Sequence, residues 1–197
     1  MADTLRTHDI HLIDGVLHLR PMTEDDWAVL YGWNNDPEVL YYTEGDDITL
    51  WDMDDMQTMY REVSRRAYMF MIEVEGCAIG ECWLQEMNIE RVLRHHPGQD
   101  VRRVDLMIGD KAWWGKGWGT RVIALLTRFA FECCGADLVY AVEIGGHNPR
   151  SRRAFEKNGY RLVRAIERSE GKSTVVYDLA LAREGYEARI ALPNNLT

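Results

Sequence analysis

The most informative segment of this sequence is Trp113-Trp114-Gly115-Lys116-Gly117-Trp118-Gly119-Thr120-Arg121-Val122-Ile123. It places three glycines at alternate positions beside a lysine, between an apolar strand pattern and the start of a helical one. Glycines let the backbone adopt positive φ and approach a ligand closely. Their exposed amides, together with the positive end of the following helix, predict an anion site suited to a pyrophosphate group.

Spacing separates this loop from two common nucleotide loops. A Walker loop ends in Gly-Lys-Ser/Thr, whereas Lys116 is followed by Gly117. A dinucleotide-binding fingerprint has the spacing Gly-x-Gly-x-x-Gly, whereas Gly115, Gly117 and Gly119 stand two residues apart. The loop therefore belongs to neither class.

Apolar periodicity around the loop predicts a mixed order of strands and helices. Short runs predict strands over residues 10–13, 16–19, 68–74, 77–85, 101–108, 138–144, 160–167 and 173–181. Capping residues and helical spacing predict helices over 23–33, from 36–37 onward, and over 49–66, 117–134 and 148–159, with a polar loop at 88–100. Hairpins at Asp14-Gly15 and Glu75-Gly76 require antiparallel pairing, which favours an α+β fold.

Length, charge and composition limit the class of protein. A chain of 197 residues with 46% hydrophobic residues and no repeat or linker predicts one domain spanning residues 1–197. A formal charge of −9 argues against nucleic acid as a partner. No apolar run approaches the ~20 residues that span a membrane, and the first residues lack the apolar stretch of a signal peptide. A cytoplasmic protein without a membrane partner is expected.

Cysteines and charge runs give two further expectations. No metal is expected, because metal-ligand spacing is lacking among the four cysteines, Cys77, Cys82, Cys133 and Cys134. Acidic residues crowd residues 44–55, and a basic cluster follows much later at Arg150, Arg152, Arg153 and Lys157. The acidic run could attract a cation and the basic cluster an anion. The alternative for the acidic run is a solvated helix face.

The glycine loop resembles the acyl-CoA loop of the GCN5-related N-acetyltransferases, whose core is Gln/Arg-x-x-Gly-x-Gly/Ala. Residues 148–160, Asn-Pro-Arg-Ser-Arg-Arg-Ala-Phe-Glu-Lys-Asn-Gly-Tyr, are similar to that family's Asn-x-x-Ser-x-Arg-x-Tyr-Glu-Lys-x-Gly-Phe segment, and the opening residues 19–26 are typical of it too. The resemblance covers a core of about residues 10–181. It implies a mixed central sheet of about seven strands, with two splayed parallel central strands and flanking helices.

Two residues depart from the family pattern. Trp114 occupies the usual Gln/Arg position, as in the branch that holds ribosomal-protein and aminoglycoside acetyltransferases. Phe155 occupies a position that is usually tyrosine. In many relatives that tyrosine is proposed to protonate the leaving thiolate, which Phe155 cannot do. Either water or the protonated base would donate this proton instead, or the step would need no dedicated acid.

The resemblance implies acetyl-CoA as the co-substrate, without a metal. Backbone groups of Met107 and Ile108 would meet the pantetheine arm in the gap between the splayed strands, near a β-bulge. The remaining coenzyme contacts are expected from Trp114, Gly115, Lys116, Gly117, Trp118, Gly119, Thr120, Asn148, Arg152, Phe155 and Lys157. Alternatively, Asn148 only caps its helix, and Arg152 and Lys157 form a solvated helix face.

Asp105 is the residue expected to act as the base, because it interrupts an apolar strand that leads to the loop and a buried carboxylate requires a partner or a purpose. Its spacing to Gly115 resembles that in aminoglycoside 6′-N-acetyltransferases, where an aspartate holds the reacting amine. The alternative is an Asp105 that simply binds Arg103. By the same resemblance, the acceptor would also contact Tyr41, Tyr42 and Glu143. Glu81 and Glu86 alternate with apolar residues, which favours a solvent-facing strand edge.

The acceptor expected from this resemblance is a small cationic amine, the 6′-amine of an aminoglycoside, acetylated by direct transfer in a ternary complex. Such a polycation would suit a cleft made acidic by Asp105, Glu143 and residues 44–55. A ribosomal-protein-type N-terminal acetyltransferase and an acetyltransferase of siderophores or other amines are the enzymatic alternatives. Phe155 motivates a further one, a non-catalytic CoA-binding protein. Monomer and homodimer both stay open.

Overall fold

Within the described part of the chain, eight strands form one mixed sheet, in which the first six follow sequence order and the last two are exchanged. The structure is a computed structural model and describes residues 4–43 and 50–191. The strands are β1 (Leu12–Asp14), β2 (Leu17–Pro21), β3 (Ala67–Val74), β4 (Cys77–Glu86), β5 (Val101–Ile108), β6 (Leu138–Gly145), β7 (Arg161–Glu167) and β8 (Val175–Ala182). All neighbouring strands are antiparallel except β5 and β6, which are parallel. The α+β prediction is confirmed.

Seven α-helices connect the strands. They are α1 (Trp27–Asn34), α2 (Pro37–Thr43), α3 (Met53–Ser64), α4 (Glu90–Leu93), α5 (Trp118–Arg128), α6 (Pro149–Lys157) and α7 (Arg183–Ala191) within the described residues. A π-helical turn, Phe129–Cys133, extends α5. Most of these elements follow local signals, such as the proline that begins α2 and the glycine after β1 that adopts φ 58° in the hairpin turn.

Three details differ from the sequence-based expectation. The sheet has eight strands rather than about seven. The polar stretch 88–100 contains the short helix α4, because Val92 on it is buried against the sheet. The third helix begins at Met53 with Asp52 as its N-cap, and the predicted cap, Thr49, lies outside the described residues.

Two apolar layers cover the two faces of the sheet. The first contains Val122, Leu126 and other residues of α5, together with Phe155 of α6, against side chains from β2–β6 and β8. The second packs Leu30 of α1 and Met56 of α3 against Met69 and Met71 of β3. The helices α1–α3 and the pair α5–α6 therefore lie on opposite faces, so any opening through the sheet is reached from two chemically different sides.

Within the described parts of the chain, none of the helices has the length and apolar character needed to cross a membrane. Residues 4–43 and 50–191 also contain no group of three or more His, Cys, Asp or Glu side chains arranged to hold a metal ion. The four cysteines are free thiols, of which Cys82 is buried while Cys77 and Cys133 are exposed.

The close approach of β4 to β5 predicts a stability effect at Gly80. A Cβ at this position would lie 2.1 Å from the backbone oxygen of Met107, so Gly80→Ala forces the two strands apart. We expect a loss of about 1–3 kcal/mol, a fall in Tm of roughly 5 °C in a chain of this size. Calorimetric melting measures it.

A matched control is Gly32→Ala on the exposed surface of α1, where a Cβ would meet no atom within 4 Å. Because alanine favours a helix over glycine by about 1 kcal/mol, this variant should melt at or slightly above the temperature of the unmodified protein. Equal melting of the Gly80→Ala and Gly32→Ala variants would contradict the close packing of β4 on β5.

Candidate active site

A cleft of about 660 Å³ lies where the two parallel strands separate. β5 pairs with β6 at three positions, the last of which joins Arg103 to Tyr140. Beyond that point β5 continues to Ile108 paired with β4, and β6 continues to Gly145 paired with β8. The expected splaying of the central strands is confirmed, and the cleft opens through the gap between them.

Backbone alternation decides which groups of β5 face this gap. Val101 bonds to the β4 side, because its C=O accepts a hydrogen bond from the N–H of Met87. Every second residue after it has the same orientation, so Leu106 and Ile108 direct their backbone groups toward β6 and the gap. The side chain of Met107 lines the cleft, but its backbone groups point to β4. The register therefore differs from the expectation for Met107: in this part of β5 the backbone groups that face the gap are those of Leu106 and Ile108.

The glycine loop offers an open concave backbone at one end of the cleft. Gly115 and Gly117 have φ angles of 74° and 87°, and a Cβ on either would meet no atom within 4 Å. α5 begins directly after this loop with no side chain capping its first amides. The residues of this loop that line the cleft are Trp113, Trp114, Gly115, Gly117, Trp118, Gly119 and Thr120. The side chain of Lys116 instead lies over the ring of Trp113, 5.1 Å from its centroid.

Trp114 fixes this loop to the end of β5. Its indole Nε1–H donates to the C=O of Ile108 at 2.6 Å. Its ring meets Tyr42 of α2 edge to face, with 5.6 Å between centroids. The guanidinium of Arg150 lies over both rings, 5.0 Å from the Trp114 centroid and 4.7 Å from that of Tyr42. A tryptophan at this position therefore joins the loop, α2 and α6.

The residues that precede α6 bridge to the end of α2. Asn148 caps α6 by accepting a hydrogen bond from the N–H of Ser151 at 3.2 Å, and its amide donates to the C=O of Tyr42 at 3.4 Å. The ring of His147 bonds to the C=O of Tyr41 through Nε2 at 3.0 Å. The predicted cap at Asn148 is confirmed, and Asn148 also lines the cleft.

The basic side chains of α6 divide between two directions. Arg152 turns away from the cleft, where it binds Glu156 at 2.8 Å and lies 4.4 Å from the ring centroid of Tyr177. Arg153 and Lys157 line the cleft instead. This geometry corrects the choice of Arg152 as a coenzyme contact, because one residue along a helix rotates a side chain by about 100°.

Asp105 accepts three hydrogen bonds, which come from two side chains. Arg103 approaches its two oxygens with Nε and Nη2, both at 2.7 Å. Trp83 of β4, directly across the strand pair, donates its indole N–H to Oδ2 at 3.1 Å. The alternative that Asp105 binds Arg103 therefore holds in the structure, and Asp105 still lines the cleft.

Glu143 lies in a bulge of β6, where the register with β8 shifts between Ala141 and Ile144. It has an unusual φ of 56°, which costs energy for a residue with a side chain. The buried Asp178 holds this backbone by accepting the N–H of Glu143 at 2.9 Å. Of the two strands that border the gap, β6 carries a register shift, whereas β5 pairs with β4 without one.

The carboxylate of Glu143 is already paired. Arg91 of α4 donates to it at 3.2 Å and Arg168 at 3.3 Å, and Arg91 also forms an ion pair with Asp178. Hydrogen bonds from Arg91, first to Asp178 and then to Glu143, raise the pKa of its guanidinium above the ordinary value. Glu143 lines the cleft at its edge, so an incoming cation would have to compete with two arginines.

The two tyrosines expected at the acceptor stay in contact, with ring centroids 4.9 Å apart, but only one of them is among the residues that line the cleft. Tyr42 lines the cleft, whereas Tyr41 is 46% exposed and packs against His147. Of the acidic run, residues 44, 46 and 47 lie outside the described part of the chain. Asp52 caps α3 by accepting a hydrogen bond from the N–H of Asp54 at 2.8 Å, which is a structural role rather than a substrate contact.

The sequence interpretation missed one acidic residue of the cleft. Glu81 of β4 was expected at a solvent-facing strand edge, but its side chain is only 4% exposed and lines the cleft. Glu86 is exposed, as expected. The alternation Gly80-Glu81-Cys82-Trp83 gave a signal, since a carboxylate in an otherwise buried strand needs a purpose. The sequence pattern could not predict which face of the sheet opens into the cleft.

The sequence around this cleft matches a known protein family over most of the chain. A family model for the acetyltransferase (GNAT) domain matches residues 17–161. The protein is a member of the GNAT acetyltransferase family.

Individual relatives of this GNAT protein are distant. An aminoglycoside N(6′)-acetyltransferase type 1 from Klebsiella pneumoniae is 23% identical over 173 residues, which cover 86% of this chain and 84% of that protein. The crystal structure of aminoglycoside acetyltransferase AAC(6′)-Ib with coenzyme A and kanamycin has a TM-score of 0.69 at 20% identity, covering 89% of this chain and 99% of the other. Spermidine N-acetyltransferase from Vibrio cholerae, with CoA and spermine, has a TM-score of 0.72 at 15% identity, covering 88% and 99%. These structural likenesses show the shared fold.

As a GNAT acetyltransferase, the protein uses acetyl-CoA as its acetyl donor. Its cleft fits that molecule on three observations. The space beside Gly115 and Gly117 in the glycine loop is open, which leaves room for a diphosphate. The gap between β5 and β6 exposes backbone groups that an extended amide-containing arm can pair with. Arg153 and Lys157 supply positive charge beside the loop.

Phe155 lines the donor side of this GNAT cleft but is 3% exposed, with its ring edge to face against Tyr160 at 5.1 Å. The hydroxyl of Tyr160 is bonded to that of Thr127 at 2.8 Å inside the core, away from the cleft lining. Neither residue brings a hydroxyl to the position where relatives carry tyrosine, so any proton that reaches the thiolate comes from elsewhere.

The opposite directions of Arg152 and Arg153 predict different effects on coenzyme binding. Arg153→Ala should raise the KM for acetyl-CoA about fivefold or more, because it removes a charged donor that faces the phosphate end of the cleft. Arg152→Ala serves as the matched control and should leave this KM nearly unchanged, since Arg152 binds Glu156 and Tyr177. Steady-state kinetics with acetyl-CoA as the varied substrate measures both.

Dephospho-acetyl-CoA, which lacks the 3′-phosphate, identifies the group that Arg153 meets. With this donor the difference between the unmodified protein and Arg153→Ala disappears if Arg153 meets the 3′-phosphate and persists if it meets the diphosphate. The opposite pattern, a raised KM in Arg152→Ala and none in Arg153→Ala, would contradict the orientation of α6 described above.

Proposed function

We propose that the protein transfers the acetyl group of acetyl-CoA to the 6′-amine of an aminoglycoside, directly and within a ternary complex. The observation that carries the proposal is the acceptor half of the cleft, where the carboxylates of Asp105 and Glu81 lie among aromatic rings of Trp83, Tyr60 and Tyr42. Carboxylates and aromatic faces both attract ammonium groups. The relative from Klebsiella and the kanamycin complex support the choice of acceptor.

The reaction needs a neutral amine beside a held thioester. The amine nitrogen attacks the thioester carbonyl carbon, a C–N bond forms, the C–S bond breaks and coenzyme A leaves as a thiolate. In this proposal the N–H groups of Leu106 and Ile108 and the loop amides hold the donor, with Arg153 and Lys157 on its phosphates. Holding both reactants in line converts an encounter between two molecules into a local step.

Asp105 is proposed to hold an ammonium group of the acceptor. Arg103 already occupies both of its oxygens, so a substrate cation would share the carboxylate or displace Arg103. Trp83 keeps the carboxylate fixed during that exchange through its indole N–H. Asp105 is in this way a place to orient the acceptor, and its proton-accepting role would require Arg103 to move first.

A polyamine is the second candidate acceptor. Arginines pair with Asp105 and Glu143, two of the three carboxylates that line the described cleft, which leaves less negative charge for a large polycation. The spermidine N-acetyltransferase with spermine bound has the same fold. A linear amine with charges spaced along one chain needs fewer acidic contacts than an aminoglycoside.

In this proposal one acetyltransferase domain, with its core at residues 10–181, performs the whole reaction. The family match over residues 17–161 ends before β8, but β8 completes the fold because it pairs with β6 on one side and β7 on the other. A single copy contains the glycine loop, the gap and the acceptor carboxylates among its described residues.

A thiol-release assay with acetyl-CoA tests the acceptor. Neomycin and paromomycin make a matched pair, because they differ in carrying an amine or a hydroxyl at the 6′ position. We expect rapid release of coenzyme A with neomycin and at least a hundredfold slower release with paromomycin. Mass spectrometry of the product locates the acetyl group.

Spermidine and a short peptide with a free N-terminus complete the panel. Release with spermidine and with neither aminoglycoside would replace the first candidate by the second. Release with the peptide alone would assign the protein to N-terminal acetylation, and binding of coenzyme A without release for any amine would mark a non-catalytic protein.

A further inference from the structure

Glu81 is the buried carboxylate of the acceptor half. Three carboxylates, from Glu81, Asp105 and Glu143, line the cleft within the described residues. Asp105 is held by Arg103 and Trp83, and Glu143 is 46% exposed in its side chain and held by Arg91 and Arg168. Glu81 is 4% exposed.

The strand register places Glu81 beside the gap. It faces Met107 across the β4–β5 pair, while Trp83 faces Asp105 one pair further along. Side chains two residues apart on a strand share a face, so Glu81 and Asp105 are diagonal neighbours with Cβ atoms roughly 7 Å apart. Since β5 has left β6 before reaching Met107, Glu81 lies next to the open part of the sheet.

The backbone on either side of Glu81 is tightly fixed. At Gly80 there is no room for a Cβ, which would lie 2.1 Å from the Met107 oxygen and 2.9 Å from the Ile108 Cα. On the other side Cys82 is fully buried in the core. This packing fixes the backbone that carries Glu81 against Met107 and Ile108 of β5, the strand that borders the gap.

We propose that Glu81 is the proton acceptor for the incoming amine. The substrate enters as R–NH3⁺ and gives one proton to the Glu81 carboxylate, which becomes a neutral acid. The neutral amine attacks the thioester carbon, the C–N bond forms and the C–S bond breaks. The second proton passes from nitrogen to the departing thiolate, and Glu81 returns its proton to water. The products are R–NH–acetyl, coenzyme A and one proton.

Burial makes this position suited to the task. A carboxylate away from water attracts an ammonium group more strongly than an exposed one does, because the surroundings screen the charges less. Transfer of the proton then leaves two neutral groups, which the apolar side chains of Met59, Trp83 and Met107 around the cleft tolerate better than two charges. Asp105 is left to orient the acceptor. The inference rests on the proposed function only in requiring an amine acceptor.

The decisive variant is Glu81→Gln, which keeps the shape and removes the proton-accepting oxygen. We expect kcat/KM for the amine at pH 7 to fall at least a hundredfold, the usual size of a lost acid–base group. Its rate should rise about tenfold per pH unit toward pH 9, because free amine then forms without help. Asp105→Asn is the comparison variant and should mainly raise the KM for the amine.

Three acceptors are assayed, neomycin, spermidine and butylamine at high concentration, with calorimetric binding of coenzyme A as the measure of an intact donor site. Activity on butylamine alone, lost in Glu81→Gln, supports Glu81 while rejecting both proposed acceptors. Glu81→Gln within threefold of the unmodified protein on every acceptor overturns the proposal, and so does an unmodified protein that acetylates none of the three. If Glu81→Gln fails to bind coenzyme A, Glu81→Asp decides: a loss of tenfold or more supports the proposal, and an unchanged rate overturns it.

Discussion

The cleft depends on the point at which the parallel pairing between β5 and β6 stops. β5 keeps its bonds to β4 as far as Ile108, and β6 keeps its bonds to β8 as far as Gly145, but the two strands meet only up to Arg103 and Tyr140. Because each strand retains its outer neighbour, the sheet can open in the middle without unravelling. The backbone groups along the two inner edges need hydrogen-bond partners, which makes the opening a natural place for an extended ligand.

Aromatic rings and an arginine close one end of this opening. The indole N–H of Trp114 donates a hydrogen bond to the C=O of Ile108, and the guanidinium of Arg150 lies over the rings of Trp114 and Tyr42. Asn148 adds a bond from the start of α6 to the end of α2. Trp114 supplies both a hydrogen-bond donor and an aromatic ring at this position, which explains how the glycine loop and α2 share one wall.

Local signals predicted most of the fold, while the site depended on orientations that no short window contains. Caps, hairpin turns and glycines act within a few residues, which is why the element order and the Asn148 cap could be predicted. The Arg103–Asp105 pair was foreseeable because the two residues share a strand face. The choice of Arg153 over Arg152 needs the rotation of α6, and the partners of Glu143 come from 52 and 25 residues away. The position of Glu81 in the cleft could not be predicted without knowing which face of β4 lines the cleft.

Acetyl transfer must remove a proton from the amine and can supply one to the thiolate. The difference in pKa between these two groups explains why an enzyme can have Phe155 at this position. A thiol has an ordinary pKa of about 8.5 and a primary amine one of about 10.4, so at neutral pH the thiolate departs readily whereas the amine arrives protonated. The harder proton lies on the acceptor. A phenylalanine on the donor side forfeits help with the easier step, and the 3% exposed ring of Phe155 contributes packing instead. In its proposed role, the buried carboxylate of Glu81 removes this harder proton.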